Sequence, residues 1–179
     1  MEPSPLYSKL LSLSKSHAVP YDLNEILSIR APDAIHAWGH NYLLSRSPGL
    51  RDRMDNAAFK AHILSTSPYL DGQGLEIHDI IIDTVARKSA IHMSYFLTPK
   101  GSKETVENNL LWVIKFTTEG EVEGGVDGIL IKESVEFIDP TASARVGTVC
   151  RELHGGKMND DVRGGLTLKQ DSLFDSPFW

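Results

Sequence analysis

Three polar side chains sit inside otherwise apolar, β-rich runs, and their types suit proton transfer. His36 lies within Ala34-Ile-His-Ala-Trp38, His92 within Ala90-Ile-His-Met-Ser94, and Glu136 within Ser134-Val-Glu-Phe-Ile138. A carboxyl group in an apolar hollow resists ionisation because it is desolvated, and an imidazole beside it exchanges protons near neutral pH. Successive side chains on a strand point to opposite faces. His92 and Ser94 therefore share one face against Ile91, Met93 and Tyr95. Likewise Lys132, Ser134 and Glu136 oppose Val135 and Phe137. Two readings follow. Either the polar sides face water, as in a half-solvated antiparallel sheet, or the sheet curls and turns them into a partly apolar pocket.

Other chemistries find no motif. There is no GxSxG, no phosphate-binding glycine loop, no GxGxxG and no HExxH. His36 and His40 are four apart, but Trp38 and Gly39 between them disfavour the helix that would put both on one face, so no metal site is assigned. The single cysteine, Cys150, has no CxxC partner and reads as a structural thiol.

Positioning these residues falls to helices followed by strands. Leu6, Leu10 and Leu13, with Tyr7 and Leu11, recur at helical spacing between Pro3 and Ala18. Asp22 is a suitable N-cap for a second helix through Leu23, Ile26, Leu27 and Ile29, ending before Pro32. A third begins at Asp55 or Asn56 and runs through Phe59, His62 and Ile63 toward Pro68. A short strand at Ala34–Trp38 falls between the second and third. After Gly74, strands are predicted over 75–86, 90–97, 110–116 and 129–138, and a helix over 141–153. The connection 118–128 holds four glycines and three glutamates and reads as a mobile hairpin loop. Helices followed by an antiparallel meander make an α+β layout with helices on one sheet face.

The chain has 179 residues, enough for one domain with a substantial core and no need of disulfide or metal. We expect a single domain over 1–153 and a tail over 154–179. That tail ends in Leu173-Phe-Asp-Ser-Pro-Phe-Trp179 and reads as a frayed terminus or as a segment docking on the pocket or a partner subunit. With 24 acidic against 18 basic side chains, the net charge of −6 disfavours nucleic acid as a partner. Met1-Glu-Pro-Ser-Pro5 is no secretory leader and no apolar run reaches bilayer length, so a soluble, cytoplasmic protein without membrane partners is expected.

Several local sequences, in their order and spacing, resemble SnoaL-like members of the nuclear-transport-factor-2-like superfamily, particularly small fungal proteins of secondary metabolism. They are Ile29-Arg-Ala-Pro-Asp-Ala-Ile-His36, Met54-Asp-Asn-Ala-Ala-Phe59, Ala90-Ile-His-Met-Ser94, Asn108-Asn-Leu-Leu-Trp-Val-Ile-Lys-Phe116 and Glu136-Phe-Ile-Asp139, covering about residues 20 to 145. The resemblance implies a curved antiparallel sheet wrapped around N-terminal helices as a cone, a cystatin-like α+β barrel. It implies a cyclase, isomerase, dehydratase or epoxide hydrolase acting by acid/base chemistry, without metal or organic cofactor, on a hydrophobic polyketide- or terpenoid-like molecule.

On this view Glu136, His92 and His36 face inward as catalytic groups. Glu136 is the general base or acid, His92 its proton-exchanging partner, and His36 and Ser94 hold or polarise a substrate oxygen. Trp38, Ser94, Asn108 and Trp112 would contact substrate. Family members often carry Asn-Glu-Tyr before the Trp strand, whereas this chain has Asn108-Asn109-Leu110, one carboxylate and one phenol fewer. The alternative is a non-catalytic binding or dimerising module of the same fold. A homodimer is expected through the outer sheet face, with Trp112 or Ile114 as candidate contacts.

Overall fold

The computed structural model describes residues 2–47, 50 and 53–155. The expected tail lies outside the described residues from 156 onward. Helix α1 (Pro5–Ala18) starts on Ser4, whose Oγ accepts from the Tyr7 N–H, with Pro5 in the first turn. Helix α2 (Leu23–Ser28) is capped by Asp22 and α4 (Asn56–Thr66) by Asp55. Helix α5 (Pro140–His154) is capped by Asp139, which accepts from Thr141 and Ala142. Each such cap contributes about 0.5–2 kcal/mol. A short helix α3 (Asn41–Arg46), which the sequence pattern did not reveal, follows β1 (Arg30–Trp38). Its N-cap residue, His40, takes a left-handed conformation with φ 61°.

The remaining strands are β2 (Leu70–Asp83), β3 (Lys88–Pro99), β4 (Val106–Phe116) and β5 (Ile131–Phe137). They pair in the order β1-β5-β4-β3-β2. The meander β2 to β5 is antiparallel as expected, but β1 adds to its end in parallel with β5. That pairing joins segments far apart in the chain and leaves β1 and β2 as the two edges of the sheet. The sheet curls around the helices, with α1 against β2 and β3, α4 against β1 and α5 against β3 and β4.

Register decides what faces the helices. Ile80, Ile91, Trp112, Glu136 and Trp38 form one cross-strand row, and Ile82, Ser89, Ile114, Ser134 and His36 form the next. Ile77, Met93 and Leu110 make a third row, and Leu75, Tyr95 and Asn108 a fourth. These rows line the concave face and pack on Leu10, Leu13, Ile26, Phe59, Ile63, Val146 and Cys150, all buried. Full burial of a side chain such as Leu10 or Ile91 is worth about 1.5–3 kcal/mol. Trp112 and Ile114, expected as outer-face contacts, are both 0% exposed on the concave side. They share that side with Ile91 and Met93 because each is a cross-strand partner or diagonal neighbour of theirs. No helix among the described residues is long and apolar enough to cross a membrane.

Candidate active site

Glu136 is the carboxylate of the concave face. It is 2% exposed, with Trp112 as its cross-strand partner on one side and Trp38 on the other. Strand β5 is inside out: Ser134 and Glu136 face the interior, while the apolar Val135 and Phe137 are only half-buried on the outside. Parallel pairing with β1 places β5 second from the edge, where neighbours rather than its own polarity set its orientation.

His36 stands diagonal to Glu136, one row along the sheet. Its ring is 4.7 Å from Phe59, 5.1 Å from Trp38 and 5.5 Å from Trp112, centroid to centroid. Trp38 in turn meets His62 edge to face at 5.5 Å. This cage is 0% exposed at His36, and burial together with the nearby Arg30 charge holds the imidazole well below its usual pKa. His36 is therefore neutral at physiological pH.

Its tautomer follows from its neighbours. Arg30 Nη1 donates to Ser134 Oγ at 3.1 Å, and Ser134 Oγ lies 3.1 Å from His36 Nδ1. The hydroxyl accepts from the guanidinium, and among the described residues His36 Nδ1 is the acceptor within reach of its own proton. With the Ser134 proton given to Nδ1, the arrangement that satisfies that hydroxyl, the imidazole proton is on Nε2 and His36 is a neutral hydrogen-bond donor.

Arg30 and His17 complete the interior and were not singled out from the sequence. Arg30 is 3% exposed, donates from Nε to Asn56 Oδ1 at 2.8 Å and stacks over Phe59 at 4.6 Å. Burial lowers its pKa to about 10, so it stays cationic. His17, on α1, meets Trp112 edge to face at 4.6 Å; burial and then the Arg30 charge push its pKa down to about 3. A signal existed for both. His17 continues the Leu6, Leu10, Leu13 helical stripe. Arg30 becomes visible as a buried strand residue once β1 is started there instead of at Ala34. Tyr95 donates its hydroxyl to the Ala18 carbonyl at 2.8 Å; burial and then the Glu136 charge hold its phenol far above the ordinary range.

The remaining expectations divide. Trp38 and Trp112 line the concave face as expected. Asn108 also points inward but is committed to the scaffold: Nδ2 donates to Ser143 at 3.0 Å and Oδ1 accepts from the Asp139 N–H at 3.1 Å. The inward orientation of His92 and Ser94 is wrong. Their β3 neighbours Ile91, Met93 and Tyr95 take the concave face, and period-two alternation sends these two to the other side of the sheet from Glu136.

His92 is exposed, 3.0 Å from Asn109 Oδ1 and 4.7 Å from the His78 ring. Ser94 is covered but on the same outer face, donating to Glu107 at 2.7 Å and accepting from Asn109 at 3.0 Å, with His78 Nε2 at 2.9 Å. His36 and His40 are also separated: His36 is in the cage, while His40 packs on Phe137. Among the described residues no three His, Cys, Asp or Glu side chains group as a metal site would. Cys150 is buried in α5, and burial raises its thiol pKa, in keeping with a structural role.

No family model matches the sequence, and no curated protein matches it. Solved structures match well. PrhC from Penicillium brasilianum NBRC 6234 is 16% identical with a TM-score of 0.66, covering 85% of this chain and 94% of that one. BvnE pinacolase from Penicillium brevicompactum is 15% identical with a TM-score of 0.63, covering 86% and 97%. A protein from Jannaschia sp. CCS1 described as a SnoaL-like polyketide cyclase is 11% identical with a TM-score of 0.55, covering 82% and 96%. At such identities the likeness is one of fold. The chain has the SnoaL-like cone that the resemblance implied.

Proposed function

We propose that this protein is an acid/base enzyme of the cyclase or isomerase type, acting on a hydrophobic small molecule against the concave face. The observation that carries the reading is the Glu136 carboxyl, 2% exposed and flanked in its row by two tryptophans. Removed from bulk water, the carboxylate exchanges protons with whatever is bound beside it. Glu136 takes a proton from one position of the substrate and returns it at another. The neutral His36, donating from Nε2, steadies the oxygen on which charge develops, and Trp38 and Trp112 supply apolar surface. Proton shuttling of this kind is complete with a carboxyl and a donor, so the reading invokes no cofactor. A pinacolase and a protein described as a polyketide cyclase, both of this fold, support rearrangement or cyclisation chemistry. His92 has no part in it.

The competing reading, a carrier without catalysis, is favoured by Leu110. That residue is buried on the concave face, where the family pattern would put a phenol. Deleting the gene in its host and identifying the accumulated metabolite by mass spectrometry supplies the substrate. Purified protein should convert it, and Glu136→Gln should lower the rate by about 10²–10⁴-fold while leaving the far-ultraviolet circular dichroism unchanged. Retention of the metabolite without conversion by the wild type would establish the carrier instead.

A further inference from the structure

We propose that Arg30, His36, His17 and Trp112 form a binding site for a carboxylate, the anionic end of an otherwise apolar ligand. The inference rests on the concave face being a small-molecule site and adds the charge its ligand carries.

Among the described residues six buried side-chain polar atoms lack a close hydrogen-bond partner, and four belong to His17, Arg30 and His36: both His17 ring nitrogens, Arg30 Nη2 and His36 Nε2; Trp112 Nε1, also among the six, is directed at the Tyr95 hydroxyl. All four side chains are at most 3% exposed. They form one cluster. The His17 and His36 rings lie 4.6 and 5.5 Å from Trp112, and Arg30 reaches His36 through Ser134.

The cluster is rich in donors and carries one buried positive charge. Arg30's partners, Asn56, Ser134 and the Phe59 ring, are all neutral, and it joins no ion pair among the described residues. A buried guanidinium is rarely left without an anion, and unpartnered donors add to that cost. A ketone or alcohol oxygen would accept from the donors but leave the guanidinium without a directly paired anion, since the buried Glu136 in the neighbouring row forms no ion pair with Arg30. A carboxylate does both, because its two oxygens can take Arg30 Nη2–H together with His36 Nε2–H.

Isothermal titration calorimetry of the full chain with three probes of one shape tests this: 2-naphthoate, the neutral 2-acetylnaphthalene and the cationic 2-naphthylmethylamine. We expect naphthoate to bind at least tenfold more tightly than the ketone, and the amine more weakly than either. Arg30→Met should abolish the preference for naphthoate over the ketone, measured as the ratio of the two affinities. Because that variant risks misfolding, the wild-type ratio stands as a test by itself. Equal binding of naphthoate and ketone to the wild type overturns the carboxylate site and leaves the small-molecule reading intact. A naphthoate preference that survives in folded Arg30→Met overturns it too. Failure of all three probes to bind overturns both.

Discussion

The Ser134 hydroxyl stands between Arg30 and His36, 3.1 Å from Nη1 of the first and 3.1 Å from Nδ1 of the second. One small side chain thus links the buried cation to the imidazole and selects the ring nitrogen that faces the concave side. His36 and Ser134 are also cross-strand partners in the parallel pair, so the backbone register holds their separation.

Replacing Ser134 with Ala should break that link. It leaves a guanidinium N–H and an imidazole nitrogen buried without partners, at a cost of about 1–3 kcal/mol. Urea denaturation should show a lower midpoint at an unchanged m-value. A midpoint equal to the wild type would mean that the hydroxyl carries neither group.

The buried histidines make stability depend on pH in a definite direction. His17 has a folded pKa of about 3 against an ordinary imidazole value of 6.5, and His36 is shifted the same way. Unfolded chains take up protons at these sites below about pH 6.5, while the native state refuses them, at His17 until about pH 3. Stability is therefore full above pH 6.5 and falls through that interval as pH drops, by up to about 1.4 kcal/mol per pH unit for each site. Denaturation midpoints at pH 7, 5.5 and 4 measure the slope. His17→Leu should flatten it by the contribution of one site.

His92→Ala, on the outer face, should behave as a surface change. Stability should stay within about 0.5 kcal/mol and turnover of the identified substrate should match the wild type. A rate loss comparable to that of Glu136→Gln would contradict the face assigned to His92.

Gly39 tests the junction behind the carboxylate. Its N–H donates to the Glu136 carbonyl at 2.7 Å, and a Cβ at this position would meet the Phe137 ring at 2.2 Å. Gly39→Ala should destabilise by about 1–3 kcal/mol through overpacking. It should also slow turnover, since relief of the clash shifts the backbone that carries Glu136. Thermal melting and steady-state rates check the two halves separately.

Much of this architecture was written locally. Asp22, Asp55 and Asp139 announce the starts of α2, α4 and α5, and alternation correctly groups the side chains of β3 and of residues 134–137 in β5 by face. That is enough to put Ser134 together with Glu136, and His92 together with Ser94. Lys132, grouped with Ser134 and Glu136 from the sequence, instead pairs with Glu121 at the surface, because the register of β5 shifts beside it and puts Ile131 in the core. Alternation states only which residues share a face, never which face is inside. Strand β3 turns its apolar side to the core and β5 its polar side, so one rule of polarity could not orient both. The pairing of β1 with β5, sequence-distant and parallel, lines Trp38 up with Glu136 and His36 with Ser134. Long-range register of that kind is set by packing and loop closure over the whole chain. For that reason most of the helices and strands were legible beforehand, and Glu136 was turned inward only by the family resemblance, whereas α3, the Arg30–Ser134–His36 chain, and the exclusion of His92 from it, came only with the folded sheet.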